Sequence, residues 1–331
     1  MSKKLKFILL LLLSLTSVFF AEVISGSMKF PLYDLWGWFV VIPLYGLHTI
    51  VLLYIITKYT DNKRVLFSTL FFAGVLFGLY EAYLTKVLWV GLNDEPLIFL
   101  DISVMDFIVL VFLWHPIMSF IIPSLVFEGF MTNSNNLFQG LPKKFKNLVT
   151  KRKLRITLFV FIGAFLSFNS LGPLELLLSG LGMGLPILLI YYLLRKKDIH
   201  TKYSLEEILP SNKGFIVCVV LLSIIYILMG LFIQRDILTL SNQLSIWVLY
   251  IIFGLLFYFK LRGNNLEEVD EVIKEPITFK YMTIYLLIIV ITGVIFVTVN
   301  WYLGSQLLFM VLTWIFWMAL GLSLLYYSLL H

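Results

Sequence analysis

The sequence predicts an all-α, polytopic transmembrane helix bundle of nine or ten spans with its C-terminus in the cytoplasm. Three observations carry that expectation: a large apolar excess, ten apolar segments of roughly spanning length, and cations confined to alternate connections. Hydrophobic residues make up 60% of the 331 and charged residues only 13%, about half the charged share of a water-soluble domain. A chain of this composition cannot cover its own surface in water. Lipid can solvate its side chains while helices satisfy its backbone polar groups.

Windows of about 20 apolar residues fall at 7–24, 35–57, 65–90, 106–127, 156–171, 174–194, 214–233, 244–259, 282–299 and 307–330. With the N-terminus placed inside, 22 of the 25 lysines and arginines lie on inner connections. Lys29 and Arg235 fall outside, and Lys86 lies within a span. The outer face then carries a charge of −6 and the inner face +12, the segregation that the positive-inside rule describes. This placement accounts for a pI near 9.1 without nucleic acid as a partner. The longest polar stretch, 128–155, has too few apolar positions for a soluble core. Residues 26–331 are therefore expected to form a single membrane domain with short basic cytoplasmic connections.

Residues 1–25 admit two readings. Lys3, Lys4 and Lys6 followed by the apolar run 7–21 resemble the first two regions of a signal peptide, with cleavage after Ser25. Alternatively the segment is an uncleaved first span extending through Ile24. Cleavage leaves nine spans with the N-terminus outside; retention leaves ten. Ser25-Gly26-Ser27-Met28 matches the nucleophile box of type I signal peptidases over four residues. The lysine base and β-rich outer domain of that family have no counterpart here, so the match is assigned to chance.

Three cytoplasmic connections carry helical signals. Phe145, Leu148, Val149 and Arg152 share a helical face among the lysines that follow Pro142. The basic stretch from Lys143 to Arg155 could lie on anionic inner-leaflet lipids, each cation contributing about 1 kcal/mol, or simply obey topology. Ser204-Leu205-Glu206-Glu207 reads as a capping box ended by Pro210. Asn265-Leu266-Glu267-Glu268 starts a comparable acidic helix over 265–275, ended by Pro276. The lone Cys218 excludes an intrachain disulfide, a CxxC pair and a thiolate zinc site.

Ionisable residues inside a bilayer are costly and often functional, and spans two to four hold His48, Glu81, Lys86 and His115. Gly74, Gly78, Glu81 and Thr85 follow a 4-3-4 spacing and share one helix face. Small residues there let a neighbouring helix approach, which turns Glu81 inward. Lys86, about 140° around the helix, is expected to extend outward to the interface. His115 and Glu81 lie at similar depth, roughly 13–15 Å from the outer end, with Pro116 and Ser119 beside His115. His48 lies somewhat deeper, after Pro43 and Tyr45. Glu81, His115 and His48 can therefore form an intramembrane polar site. It would serve as a proton relay or a metal or haem site, or merely help helices to associate. No HExxH or HxxxH motif supports a metal, no catalytic residue is assigned, and the cofactor is left open.

Glu175 and Ser179 stand one turn apart on the sixth span, before Gly180, Gly182, Gly184 and Pro186. This pattern fits either a broken helix on a substrate path or GxxxG packing; packing is favoured. The outer connection 91–106 mixes four aspartates and glutamates with Leu97-Ile98-Phe99-Leu100, suiting an interfacial piece, a cation vestibule or a plain loop. Trp36, Trp38, Trp89 and Trp301 sit near outer span ends as an aromatic belt. The function these features favour is transport of ions or small solutes, proton-coupled through Glu81. The alternatives are a structural or assembly subunit docking membrane-complex partners, and a membrane enzyme acting on lipid-linked substrates.

Overall fold

The computed structural model describes residues 1–60, 63–92, 97–167, 170–233, 237–263, 279–303 and 306–331. Each of the ten predicted segments contains helix among its described residues. In chain order the main helices are α1 (Lys3–Val23), α2 (Gly37–Thr60), α3 (Phe67–Ala82), α4 (Val104–Met131), α5 (Lys143–Thr150), α6 (Arg152–Leu166), α7 (Pro173–Arg195), α8 (Asn212–Phe232), α9 (Leu240–Arg262), α10 (Phe279–Leu303) and α11 (Gln306–Leu330). Eight of these are long and apolar enough to cross a membrane; α3 is apolar but shorter, α6 has 15 residues with three cations in its first turn, and α5 is the basic amphipathic helix. The chain is an all-α polytopic bundle.

Side-chain hydroxyls start several helices as the sequence implies. Ser2, Ser211 and Thr239 accept the amide protons of Leu5, Gly214 and Asn242, satisfying donors that have no partner in the first helical turn. The Ser204–Glu207 capping box forms, with Glu207 N–H on Ser204 Oγ at 3.3 Å and Ser204 N–H on Glu207 Oε2 at 2.8 Å. Its helix ends after one turn at Ile208. The acidic helix expected at 265–275 lies outside the described residues, as do Asn169, Asp94, Glu95, Arg235 and Asp236.

Helices α1 to α4 form the centre. Seventy-two per cent of the apolar window of α2 and of α4 is buried in the bundle, against 6% for α8, so α8 belongs to the lipid-facing periphery. The contact of α3 with α4 depends on two glycines. A Cβ on Gly74 would meet Pro116 Cα at 2.4 Å, and one on Gly78 would meet both Val111 Cα and His115 Cβ at 3.1 Å. The small-residue face predicted on α3 is thus the face pressed against α4. On the far flank, α10 packs on both α6 and α7. Gly163 approaches the Ile289 carbonyl, while Gly180 and Gly184 seat Val290 and Leu286.

The structure differs from the sequence reading in several places. The segment 65–90 is not one helix. It tightens into a 3-10 turn over Leu79–Ala82, passes through a turn to left-handed backbone at Lys86, and resumes for one turn at Val87–Val90. The break follows Glu81, whose carbonyl and carboxylate both receive the Thr85 hydroxyl. Likewise, the face proposed from Phe145 to Arg152 is split: α5 stops at Thr150, and Lys151 is extended before α6 begins. Phe145 stacks on Phe67 at 5.0 Å, anchoring α5 to the end of the bundle. The connection between α3 and α4, expected on the outer side, contains a small antiparallel hairpin, Ile98–Phe99 with Ile102–Ser103, turned by Leu100 and Asp101 at positive φ. Trp36 and Trp38 are exposed as a belt requires, but Trp89 is buried edge-on against Tyr83.

At the predicted cytoplasmic end of α4, the buried Glu128 carboxylate accepts amide protons from Leu137 and Phe138, each at 3.1 Å. It fastens the one-turn helix Asn136–Gln139 under the bundle. Glu128→Leu leaves both amides without this acceptor and should cost about 2 kcal/mol or more. Size-exclusion profiles of heated, detergent-solubilised protein will show the loss as an earlier aggregation midpoint.

Candidate functional site

Helix α4 places His115 through an unusual stretch. Leu110–Ile121 is wound as a π-helix containing Pro116. Proline has no amide proton to give the preceding turn, and a wider turn lets the helix run past it. Two further π-helical turns, Phe19–Val23 and Gly37–Val41, lie on α1 and α2. Such turns are rare and occur often at functional sites. Here all three lie on helices that contribute side chains to one buried polar region.

Glu81 stands in the 3-10 turn that ends α3. The glycine contact below it brings His115 Nε2 to 2.8 Å from Glu81 Oε1, with both residues buried. His115 Nδ1 lies 2.9 Å from Ser119 Oγ, and the Thr85 hydroxyl holds the other Glu81 oxygen. Ser17 of α1 donates to the Ser119 carbonyl at 2.6 Å, and Thr49 of α2 lies 3.3 Å from Ser17 Oγ. Four helices therefore hold the pair in place.

This arrangement can store one proton with almost no motion of heavy atoms. In one state Nε2–H donates to the Glu81 carboxylate while Ser119 O–H donates to Nδ1. Adding a proton at Nδ1 makes an imidazolium, and Ser119 need only rotate its hydroxyl to accept. The paired state avoids an isolated charge at two buried positions.

His48 lies nearby but is not bonded to the pair. Its Nδ1 lies 2.8 Å from the Leu44 carbonyl and its Nε2 2.8 Å from Tyr226 Oη. Since a carbonyl only accepts, Nδ1 carries the proton and Nε2 accepts from the Tyr226 hydroxyl. The Phe77 ring stands between the two histidines. It stacks on His48 at 4.5 Å with a 7° interplanar angle and lies 5.8 Å from His115. Of the three predicted site residues, then, the structure joins Glu81 to His115 and gives His48 a separate tyrosine network.

Sequence reasoning missed a second string. The Tyr45 hydroxyl donates to Glu22, at the C-terminal end of α1, and Tyr45 Oη is 2.6 Å from Tyr80 Oη. With the Tyr45 proton on Glu22, Tyr80 donates to Tyr45. Tyr80 precedes Glu81 in the chain, and its ring meets His115 edge-on at 4.9 Å. A row of phenols thus leads from the partly exposed Glu22 to the buried Glu81–His115 pair. By sequence, Glu22 counts among the acids of the outer face; its place two residues before the end of the first apolar window, 7–24, was the available signal.

Lys86 corrects an expectation. It does not extend to the interface: it is fully buried, and its ammonium donates to the Tyr83 and Met229 carbonyls. Its backbone is left-handed, with φ of 62°. The helical rotation of 100° per residue no longer predicts its direction once α3 has unwound, and unwinding exposes the Tyr83 carbonyl that receives it.

The second candidate set is built differently. Glu175 pairs with Lys29 at 3.0 Å and caps its own helix by accepting the Leu171 amide at 2.7 Å. Ser179 donates to the Leu176 carbonyl, and Pro186 sits inside a helix that runs unbroken from Pro173 to Arg195. The glycines of this face are the packing surface for α10 described above. Ser25 and Ser27, of the short nucleophile-box match, bond to each other at 2.8 Å in a turn after α1. Among the described residues, no three of His, Cys, Asp and Glu form a metal-ligand group.

Comparison with known proteins places the chain among membrane proteins. A family described as "Uncharacterized membrane protein family" matches residues 10–331. An "Uncharacterized protein" of Archaeoglobus fulgidus is 35% identical over 252 residues, covering 75% of each chain. No solved structure matches. With all but its first residues matched, the chain belongs to this uncharacterized membrane protein family.

Proposed function

We propose that the protein is a proton-linked transporter of ions or small solutes, in which Glu81 and His115 carry the proton. The observation behind this reading is the 2.8 Å carboxylate–imidazole contact in the centre of the bundle. Intramembrane carboxylates cost energy to bury and are typical of proton relays. The Glu22–Tyr45–Tyr80 row supplies hydroxyls through which a proton can approach from the outer end. Glu81→Gln keeps an acceptor for His115 Nε2–H, so the fold survives while the carboxylate is lost. In proteoliposomes loaded with pyranine, a panel of inorganic ions and amino acids should reveal a solute that drives internal pH change. Glu81→Gln should slow that change at least about tenfold, the scale of losing a proton-transferring group. Wild-type rates in this variant would remove Glu81 from the mechanism.

The same reading places the chain in the cell membrane with the C-terminus cytoplasmic, as the cation distribution supports. It also keeps α1 as a span. Leu9, Leu12, Leu13 and Val18 are buried among its neighbours, and Ser17 and Glu22 belong to the polar networks. Intact mass of the purified protein should include residues 1–25, and a C-terminal reporter should be active on the cytoplasmic side. A mass lacking those residues, or an outward C-terminus, would reverse these assignments.

Helix α5 and the following cations form the proposed contact with anionic inner-leaflet lipid. Lys143, Lys144, Lys151 and Lys153 are exposed. Burial first and the Arg64 guanidinium second hold the Lys146 ammonium below the usual lysine range, a cationic crowding that a phosphate headgroup relieves. Replacing Lys143, Lys144 and Lys146 by Gln should reduce co-purifying phosphatidylglycerol, measured by lipid mass spectrometry. Unchanged retention would argue that these cations serve topology alone.

A further inference from the structure

A cavity of about 430 Å³ opens beside His48, away from the Glu81–His115 pair. Helix α8 packs on α2 and α9 packs on α3. The cavity occupies the space where the two peripheral helices diverge, with α2 and α3 as its floor. One hydroxyl contact, Tyr226 to Tyr250 at 3.3 Å, bridges the gap. Ser223 and Ile227, both exposed, frame an opening toward the bilayer rather than toward either aqueous face. Tyr226 is 14 residues into α8, about 21 Å along it and thus within the hydrocarbon depth.

The polar inventory of this cavity restricts its occupant. The walls are apolar apart from His48, Ser223, Tyr226 and Tyr250, and among the described residues no charged side chain lines them. The proton on His48 Nδ1 goes to the Leu44 carbonyl, so Tyr226 spends its own proton on Nε2. The Tyr226–Tyr250 contact must then use the Tyr250 proton. Ser223 donates to the Val219 carbonyl at 2.9 Å. Every proton of these four groups is committed, and the remaining capacity consists of hydroxyl lone pairs. The head of the occupant must therefore donate. It must also be neutral, because a phosphate would lie within the hydrocarbon without a cation, and an ammonium would carry its charge to the same depth. A cavity of this size, apolar with a few convergent polar atoms, suits a small molecule, and its lateral mouth admits an acyl or isoprenoid chain.

We infer that this cavity binds a long-chain alcohol lipid, whose hydroxyl donates to the Tyr250 or Tyr226 oxygen while its chain lies along α8. The inference is independent of proton carriage by Glu81, since the Phe77 ring separates the two regions. Binding of tritiated geranylgeraniol to the full-length protein in phosphatidylcholine nanodiscs tests it. Saturable binding is expected, with the methyl ether of the same alcohol about tenfold weaker for lack of a donated hydrogen bond. Leu222→Trp and Val51→Trp fill the cavity from opposite walls, and each should abolish saturable binding in a variant that remains monodisperse. Tyr250→Phe removes an acceptor without touching the His48–Tyr226 bond and should weaken binding severalfold. Equal affinity for alcohol and ether, saturable binding that persists in both tryptophan variants, or no saturable binding to the wild type would overturn the assignment.

Discussion

Hydrocarbon offers no hydrogen-bond partner, and the arrangement of this bundle follows from that constraint. A polar side chain placed in a span must find its complement inside the protein. Serines and threonines of α1 and α2 do so locally: Ser14, Thr16, Thr49, Thr57 and Thr60 each donate to a carbonyl one turn back. Glu81, His115, His48 and Lys86 cannot, because one helix does not supply enough partners for an ionisable group. Each recruits a neighbouring segment instead: Glu81 and His115 join α3 to α4 at the centre, while His48 and Lys86 reach Tyr226 and Met229 on the peripheral α8.

Close approach makes the partnerships possible. Gly74 and Gly78 remove the side-chain layer that would otherwise hold α3 away from α4, so Pro116 and His115 come directly against the α3 backbone. The interior is packed with rings around this contact, Phe77 between the histidines and Tyr80 against His115. The periphery follows another logic. Helices α6, α7 and α10 pack through their own glycines and, among the described residues, bring no hydrogen bond to the central pair, while α8 and α9 diverge enough to leave a lateral opening.

Spans and the Glu81–His115 pairing were legible in the sequence because both rest on one-dimensional patterns. Hydropathy marks segments whatever their neighbours, and a 4-3-4 run of small residues marks a face. Tyrosines escaped notice for a physical reason. A phenol is amphipathic and unremarkable in any span, so Tyr45, Tyr80, Tyr226 and Tyr250 carry no signal until two helices bring their hydroxyls together. Lys86 was misplaced because its direction was extrapolated along a helix that had already ended. His48 was expected somewhat deeper than the pair, and depth alone does not register an intervening ring such as Phe77. Glu22 was hidden by its position at a span end, where an acid is ordinarily wet.

The wide π-wound stretch of α4 has a consequence for how the length of this helix can vary. A π-helical turn takes up roughly one residue more than an α-turn, so Leu110–Ile121 holds more chain than an α-helix of equal rise. Deleting one residue before His115 would let the stretch rewind as an ordinary α-helix, with no loop to absorb the change. His115 would then swing by about 100° around the axis, carrying its imidazole off the α3 interface. A single-residue gap here would uncouple the histidine from its carboxylate while leaving hydropathy and topology untouched.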